Sequence, residues 1–195
     1  MSPPNSRGAS RSEATHPVPD APLDFPSLWA AAVPWPRYLR PEMKNAELWL
    51  GVYQHAVAPA WAVEAFQASP ARNLLALAAD WCGDASNSLP VVARLADAVP
   101  GMEVRILERD QHPRVMDRYL TNGTRSIPVV IALDREYREL GHWGPRPAAL
   151  QQWMVANKAM KPSPERYAYA RKWYARDKGE TTLRELLGAV NGVSV

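Results

Sequence analysis

Asn73-Leu74-Leu75-Ala76-Leu77-Ala78-Ala79-Asp80-Trp81-Cys82-Gly83-Asp84-Ala85 is the stretch that decides the fold. Its first seven residues form a short continuous apolar run. Length and flanks favour a strand buried on both faces, although Ala and Leu also form helices well. From Ala85 the period changes: Val92, Leu95 and Val99 mark one face of a helix over about 85–98, with Pro90 expected to kink it. Between strand and helix sits Cys82, the single cysteine in 195 residues. A thiol at such a junction meets unpaired backbone N–H groups and the positive end of a helix dipole, which favour the thiolate. The thiolate is the attacking species in disulfide chemistry.

Working outward, the N-terminal side reads as helix over 45–67, with Leu48, Val52 and Ala56 on one face and Asn45 as N-cap. Pro59 should kink it or divide it in two. Before that, Phe25, Leu28, Trp29, Trp35 and Tyr38 lie between prolines, and this arm is expected to pack on the domain. Residues 1–26 are rich in Pro, Ser, Ala and Asp and are read as a disordered tail, which could not offset its ordering entropy. On the C-terminal side, 102–107 reads as strand and 112–120 as a short helix. Asn122-Gly123 marks a turn, 128–133 a strand and 137–143 its antiparallel partner. Helices follow over 148–160 and about 165–190, the last with a possible break at Gly179. In that last helix Tyr167, Ala170, Trp173, Tyr174, Leu183, Leu186 and Leu187 are expected to form a packing face. The βαβ opening and closing hairpin imply an α/β fold, a mixed parallel and antiparallel central sheet with helices on both faces. The domain plan is a tail (1–26), an arm with helices (27–68), a core (69–160) and a C-terminal helical extension (161–195).

Composition excludes several classes. The net charge is +3 without a dense basic stripe, so nucleic acid is not an expected partner. One cysteine forms no internal disulfide, which removes the secreted, disulfide-stapled class. No apolar stretch reaches the roughly 20 residues of a membrane span, and a cytoplasmic monomer is expected. His112 and His142 lie in no pattern with ligand spacing, so no metal is expected.

Four features together resemble the thioredoxin superfamily: Trp81-Cys82-Gly83-Asp84 at a strand-to-helix junction, Pro90 eight residues after the cysteine, Ser126-Ile127-Pro128-Val129 opening a strand, and the hairpin after it. More narrowly, the chain looks like a bacterial thioredoxin-like subgroup. Its members share the Trp-Cys-Gly-Asp start, a Leu-Thr-Asn-Gly-x-Arg-Ser-Ile-Pro stretch (here 120–128) and Trp-Gly-Pro-Arg-Pro (here 143–147). The resemblance implies a cis Pro128, with the backbone of Ile127 beside Cys82 forming a substrate groove by strand addition. Two departures concern the second half of the dithiol cycle. Ala85 stands where the resolving cysteine would be, and Ala76 where thioredoxins keep a buried Asp.

A lone cysteine in isolation reads as a small buried hydrophobe; the junction and the matching proline segment turn the expectation to an exposed, activated thiol. Asp84 is expected to partner the helix dipole and to make the depression of the Cys82 pKa smaller. Trp81 is expected to cover the thiol. Trp143 could do so or lie in the core. Arg125 and Arg146, near Ser126 and Trp143, could hold an anion such as a glutathione carboxylate, but are expected rather to pin loops through Asp84, Asp110 or Asp134. The leading function is a monothiol redox protein. Cys82 attacks a disulfide or glutathionylated thiol, no cofactor is needed, and an external thiol, glutathione or another, resolves the product. Its partners would be oxidised protein thiols or a low-molecular-weight thiol. The competing reading is a redox-inactive binding module that uses the groove beside Pro128.

Overall fold

The computed structural model describes residues 22–193. Most of the expected N-terminal tail, residues 1–21, lies outside the described residues. In chain order the elements are α1 (Phe25–Ala31), β1 (Val33–Pro34), α2 (Trp35–Tyr38), α3 (Ala46–His55), α4 (Ala60–Ala68), β2 (Asn73–Ala78) and α5 (Gly83–Ala98). They continue with β3 (Glu103–Glu108), a 3-10 turn (Arg109–Gln111), α6 (Pro113–Arg118), β4 (Val129–Leu133) and β5 (Glu139–Trp143). The chain closes with α7 (Ala148–Ala156), α8 (Ser163–Asp177) and α9 (Glu180–Val190).

The sheet runs β1-β3-β2-β4-β5. β2 and β3 are parallel, joined through α5, with Ala76 opposite Ile106. The other pairs, β2–β4, β4–β5 and β1–β3, are antiparallel. Every residue of β4, and every residue of β2 after Asn73, is buried. Helices therefore cover both faces, and the continuous apolar runs of these strands record that double burial. β1 is an addition the sequence did not suggest: two residues of the N-terminal arm pair with the outer edge of β3.

Pro59, which has no N–H to continue a helix, separates α3 from α4 at the N-cap of the latter. In α3 the fully buried side chain is Trp49, while Leu48, Val52 and Ala56 are only half-buried. The expected face is thus rotated by one position, because Trp49 is what the arm packs against. Trp35 and Tyr38 meet its ring at centroid distances of 6.0 and 5.6 Å. Such tilted and edge-on pairs add about 0.5–1.5 kcal/mol each to area burial.

The long C-terminal helix breaks at Gly179, whose φ of +84° is left-handed. The break folds α9 back onto β5. Contact there is so close that a Cβ on Gly141 would collide with the carbonyl oxygen of Ala189. Gly141→Ala therefore forces backbone apart and should lower unfolding free energy by about 1–3 kcal/mol, the usual range for overpacking. Urea denaturation should show a lower midpoint at unchanged slope.

Candidate active site

Cys82 is the N-cap residue of α5, placed there because β2 ends at Ala78 and Asp80–Trp81 turn the chain. Two long-range tethers hold that turn. Trp49 Nε1 donates to the Asp80 carbonyl at 2.9 Å, and Asn45 Nδ2 donates to the Trp81 carbonyl at 2.9 Å. A third bond runs from the Lys44 backbone N–H to the Asp80 carboxylate at 3.0 Å. Asn45 does sit at the N-cap of α3, yet its side chain makes no cap bond: its φ of +56° is left-handed and its amide N–H is turned toward the Trp81 carbonyl.

The thiol itself corrects the expectation of an exposed, activated group. Cys82 is only 7% exposed, and its Sγ donates toward the Ile127 carbonyl at 3.5 Å. The Ile127–Pro128 peptide is cis. Burial pushes the Cys82 thiol up from its ordinary value. The backbone N–H groups of Ala85 and Asp84 and the Arg146 charge pull it down, the Asp84 charge adds to the rise, and burial wins. The helix terminus thus acts in the expected direction but is outweighed.

Asp84 lies in the first turn of α5, as expected of a dipole partner, but it is also buried against groups from other elements. Its side chain is 5% exposed and forms an ion pair with Arg146 Nη2 at 2.5 Å, the Arg146 side chain being 15% exposed. Tyr174 on α8 donates to the other Asp84 oxygen at 3.1 Å. Arg146 is held in turn. Its Nη1 donates to Gln151 at 2.8 Å, and Glu185 on α9 accepts from Trp143 Nε1 at 2.8 Å and from the Ala148 N–H at 2.9 Å. Trp143 is therefore a buried anchor of this loop rather than a cover for the thiol.

Arg146 pins its loop through Asp84, as expected. Arg125 pins its own through Asp117 at 2.6 Å, not through any of the three acids anticipated. Ser126 shares a 3.0 Å hydrogen bond with Thr124 in the same loop. Trp81 stays out of the core, 44% exposed, with the Arg109 guanidinium over its ring at 4.8 Å.

Cys82 lines a cleft of about 550 Å³ bounded by Trp81, Gly83 and Asp84 on one side and by Tyr167 and Tyr174 of α8 on the other. Ile127 is 5% exposed and, like Pro128, does not line this cleft. The approach to the thiol is thus from the α8 side. Tyr167, expected in the packing face of the last helix, is 42% exposed at its rim, while Tyr174 and Leu183 are buried. Ala85 is fully buried in the first turn of α5, three residues after Cys82. On the β3 side of the motif, burial and then the Asp110 and Asp80 charges push the Glu108 carboxyl up. Among the described residues no group of three or more His, Cys, Asp or Glu side chains is gathered that could hold a metal ion.

A family model described as Thioredoxin matches residues 33–161, and the chain belongs to this thioredoxin-like family. Among solved structures it is similar to a protein of unknown function from Pseudomonas aeruginosa, with a TM-score of 0.68 and 19% identity over 88% of this chain and 99% of that one. It is also similar to an HIV epitope scaffold, with a TM-score of 0.63 and 18% identity over 88% of this chain and all of that one, 100%. No curated protein matches the chain. At these identities the structural likeness concerns the fold. Among the described residues no helix is long and apolar enough to cross a membrane.

Removing one partner of the buried pair should cost about 3–5 kcal/mol, because the other charge stays behind uncompensated. The two single variants should also move the thiol in opposite directions. Asp84→Asn removes the charge that raises the Cys82 pKa and lowers the pH midpoint of iodoacetamide alkylation; Arg146→Met raises it. Alkylation rates against pH, with the fraction folded checked by circular dichroism, test both signs.

Proposed function

We propose that this thioredoxin-fold protein is a monothiol exchange protein in which Cys82 captures one partner sulfur and relies on an external thiol for release. The observation that carries the reading is the placement of Cys82 at the start of α5, on an open cleft, with Ala85 one helical turn along. The Cys82 thiolate attacks one sulfur of a disulfide and the second sulfur leaves as a thiolate that takes up a proton. With alanine at 85 no internal thiol competes for the mixed disulfide. An oxidised protein thiol, or a glutathionylated one, supplies the disulfide, and glutathione or another small thiol resolves it. The cytoplasm, where thiols are kept reduced, is the compartment that suits this cycle. Membership of the bacterial Trp-Cys-Gly-Asp subgroup belongs to the same proposal, as does a monomeric unit with a 69–160 core.

One observation favours a second reading, a binding module without redox turnover: burial makes the thiol harder to ionise. Burial makes the alkylation rate of Cys82 low at pH 7 under either reading, climbing through and beyond about 8.5, the value of an unperturbed thiol, so it is turnover that separates them. In denaturant the midpoint returns to that value. Linkage carries the same sign. A thiol whose pKa is raised by folding stabilises the native state below the unfolded pKa, and that contribution is lost as pH rises past it. Reduction of a mixed glutathione disulfide should depend on Cys82 and vanish in Cys82→Ser. Equal turnover by wild type and Cys82→Ser would favour the binding module. In the complementary experiment, Ala85→Cys should form an internal disulfide and gain dithiol reductase activity, measured by insulin reduction.

A further inference from the structure

The cleft at Cys82 does not end at the thiol. Leu48, Asn87, Arg171 and Tyr174 line it and also line a second, more apolar groove of about 760 Å³. The two make one trough, walled by α3 and α8, with α5 between them. Its far part carries the aliphatic side chains Val52, Val91 and Ala175 beside His55 and Lys178, and it includes Val57, which is 77% exposed. The lining follows α3 from Asn45 to His55. That is roughly 15 Å of helix, the reach of four or five extended residues.

The charges along the trough are unbalanced. Arg171 stands where the two parts join and makes no ion pair with any described residue; Lys178, further along, makes none either. At the thiol end the acid, Asp84, is already neutralised by Arg146. Glu47 is the one other acid on the lining. Asn45 and Asn87 donate their amide N–H groups to the carbonyls of Trp81 and Gly83. Their amide oxygens thereby remain available to accept from a peptide backbone.

We propose that this trough is the docking site for the protein partner: an extended segment whose oxidised cysteine meets Cys82, followed by an acidic residue at Arg171 and aliphatic residues toward Val57. The inference rests on the reading of Cys82 as an attacking thiol and adds the sequence it selects. Charge complementarity to Arg171 sets the acidic position and the aliphatic lining sets the next ones. The exchange is balanced within the pair: Cys82 sulfur bonds to the segment's sulfur, the segment's former disulfide partner leaves as a thiolate, and solvent protonates it.

Synthetic peptides with an N-terminal cysteine carried as a 2-pyridyl disulfide test it, followed by release of pyridine-2-thione. The tails are Glu-Leu-Leu, Lys-Leu-Leu and Glu-Ser-Ser. Wild type should react with the Glu-Leu-Leu peptide about two- to fivefold faster than with Lys-Leu-Leu, as one exposed charge pair allows. Arg171→Glu should invert that ratio, and Val57→Asp should erase the advantage over Glu-Ser-Ser. Binding of the same peptides, reduced and fluorescently labelled, to Cys82→Ser provides a readout free of chemistry. Equal rates and equal binding for all tails overturn the trough. Selective binding to Cys82→Ser with no exchange by wild type keeps the trough and overturns the thiol reading.

Discussion

The buried ion pair between Asp84 and Arg146 is the contact on which the rest of the site depends. A carboxylate in the first turn of a helix gains from the dipole, but burying it at 5% exposure needs a full countercharge. Arg146 supplies that charge from the loop after β5, and α9 ties that loop down by bringing Glu185 to Trp143 and to the Ala148 N–H. α9 reaches that position because Gly141 leaves room for the Ala189 carbonyl. The C-terminal extension is therefore part of the site's construction. Tyr174 makes the same point from α8, with a hydroxyl on the second Asp84 oxygen.

From this arrangement follows the character of the thiol. The helix start, which alone would favour a thiolate, is enclosed by α8 and faces Asp84, and burial becomes the dominant influence on Cys82. The arm acts from the other side. Its aromatic rings fix Trp49, and Trp49 with Asn45 holds the turn that presents the cysteine. The arm with α3 on one side and the C-terminal helices on the other thus position both edges of the motif.

Much of the fold was legible in local pattern. The apolar run of β2, the period of α5 and the hairpin after Pro128 each state their structure within a dozen residues. The motif and its missing second cysteine were legible for the same reason. What escaped depends on contacts far apart in sequence. The bond from Tyr174 to Asp84 spans 90 positions and that from Trp49 to Asp80 spans 31, and no local spacing announces either. The exposure of Cys82 was misjudged because the thiol turns toward the Ile127 carbonyl, 45 positions away, a contact no local pattern announces. Arg125 found Asp117 rather than a more distant acid because one turn of α6 brings that carboxylate alongside the loop.

The central claim is that Cys82 can capture a sulfur and cannot release it alone. Intact mass after exposure of the folded protein to glutathione disulfide at alkaline pH tests it most directly. The account predicts a one-to-one mixed disulfide that persists until a small thiol is added, and that fails to accumulate in Ala85→Cys, whose second thiol displaces it. A folded wild-type protein that forms no adduct under conditions where the unfolded chain is fully modified would contradict it.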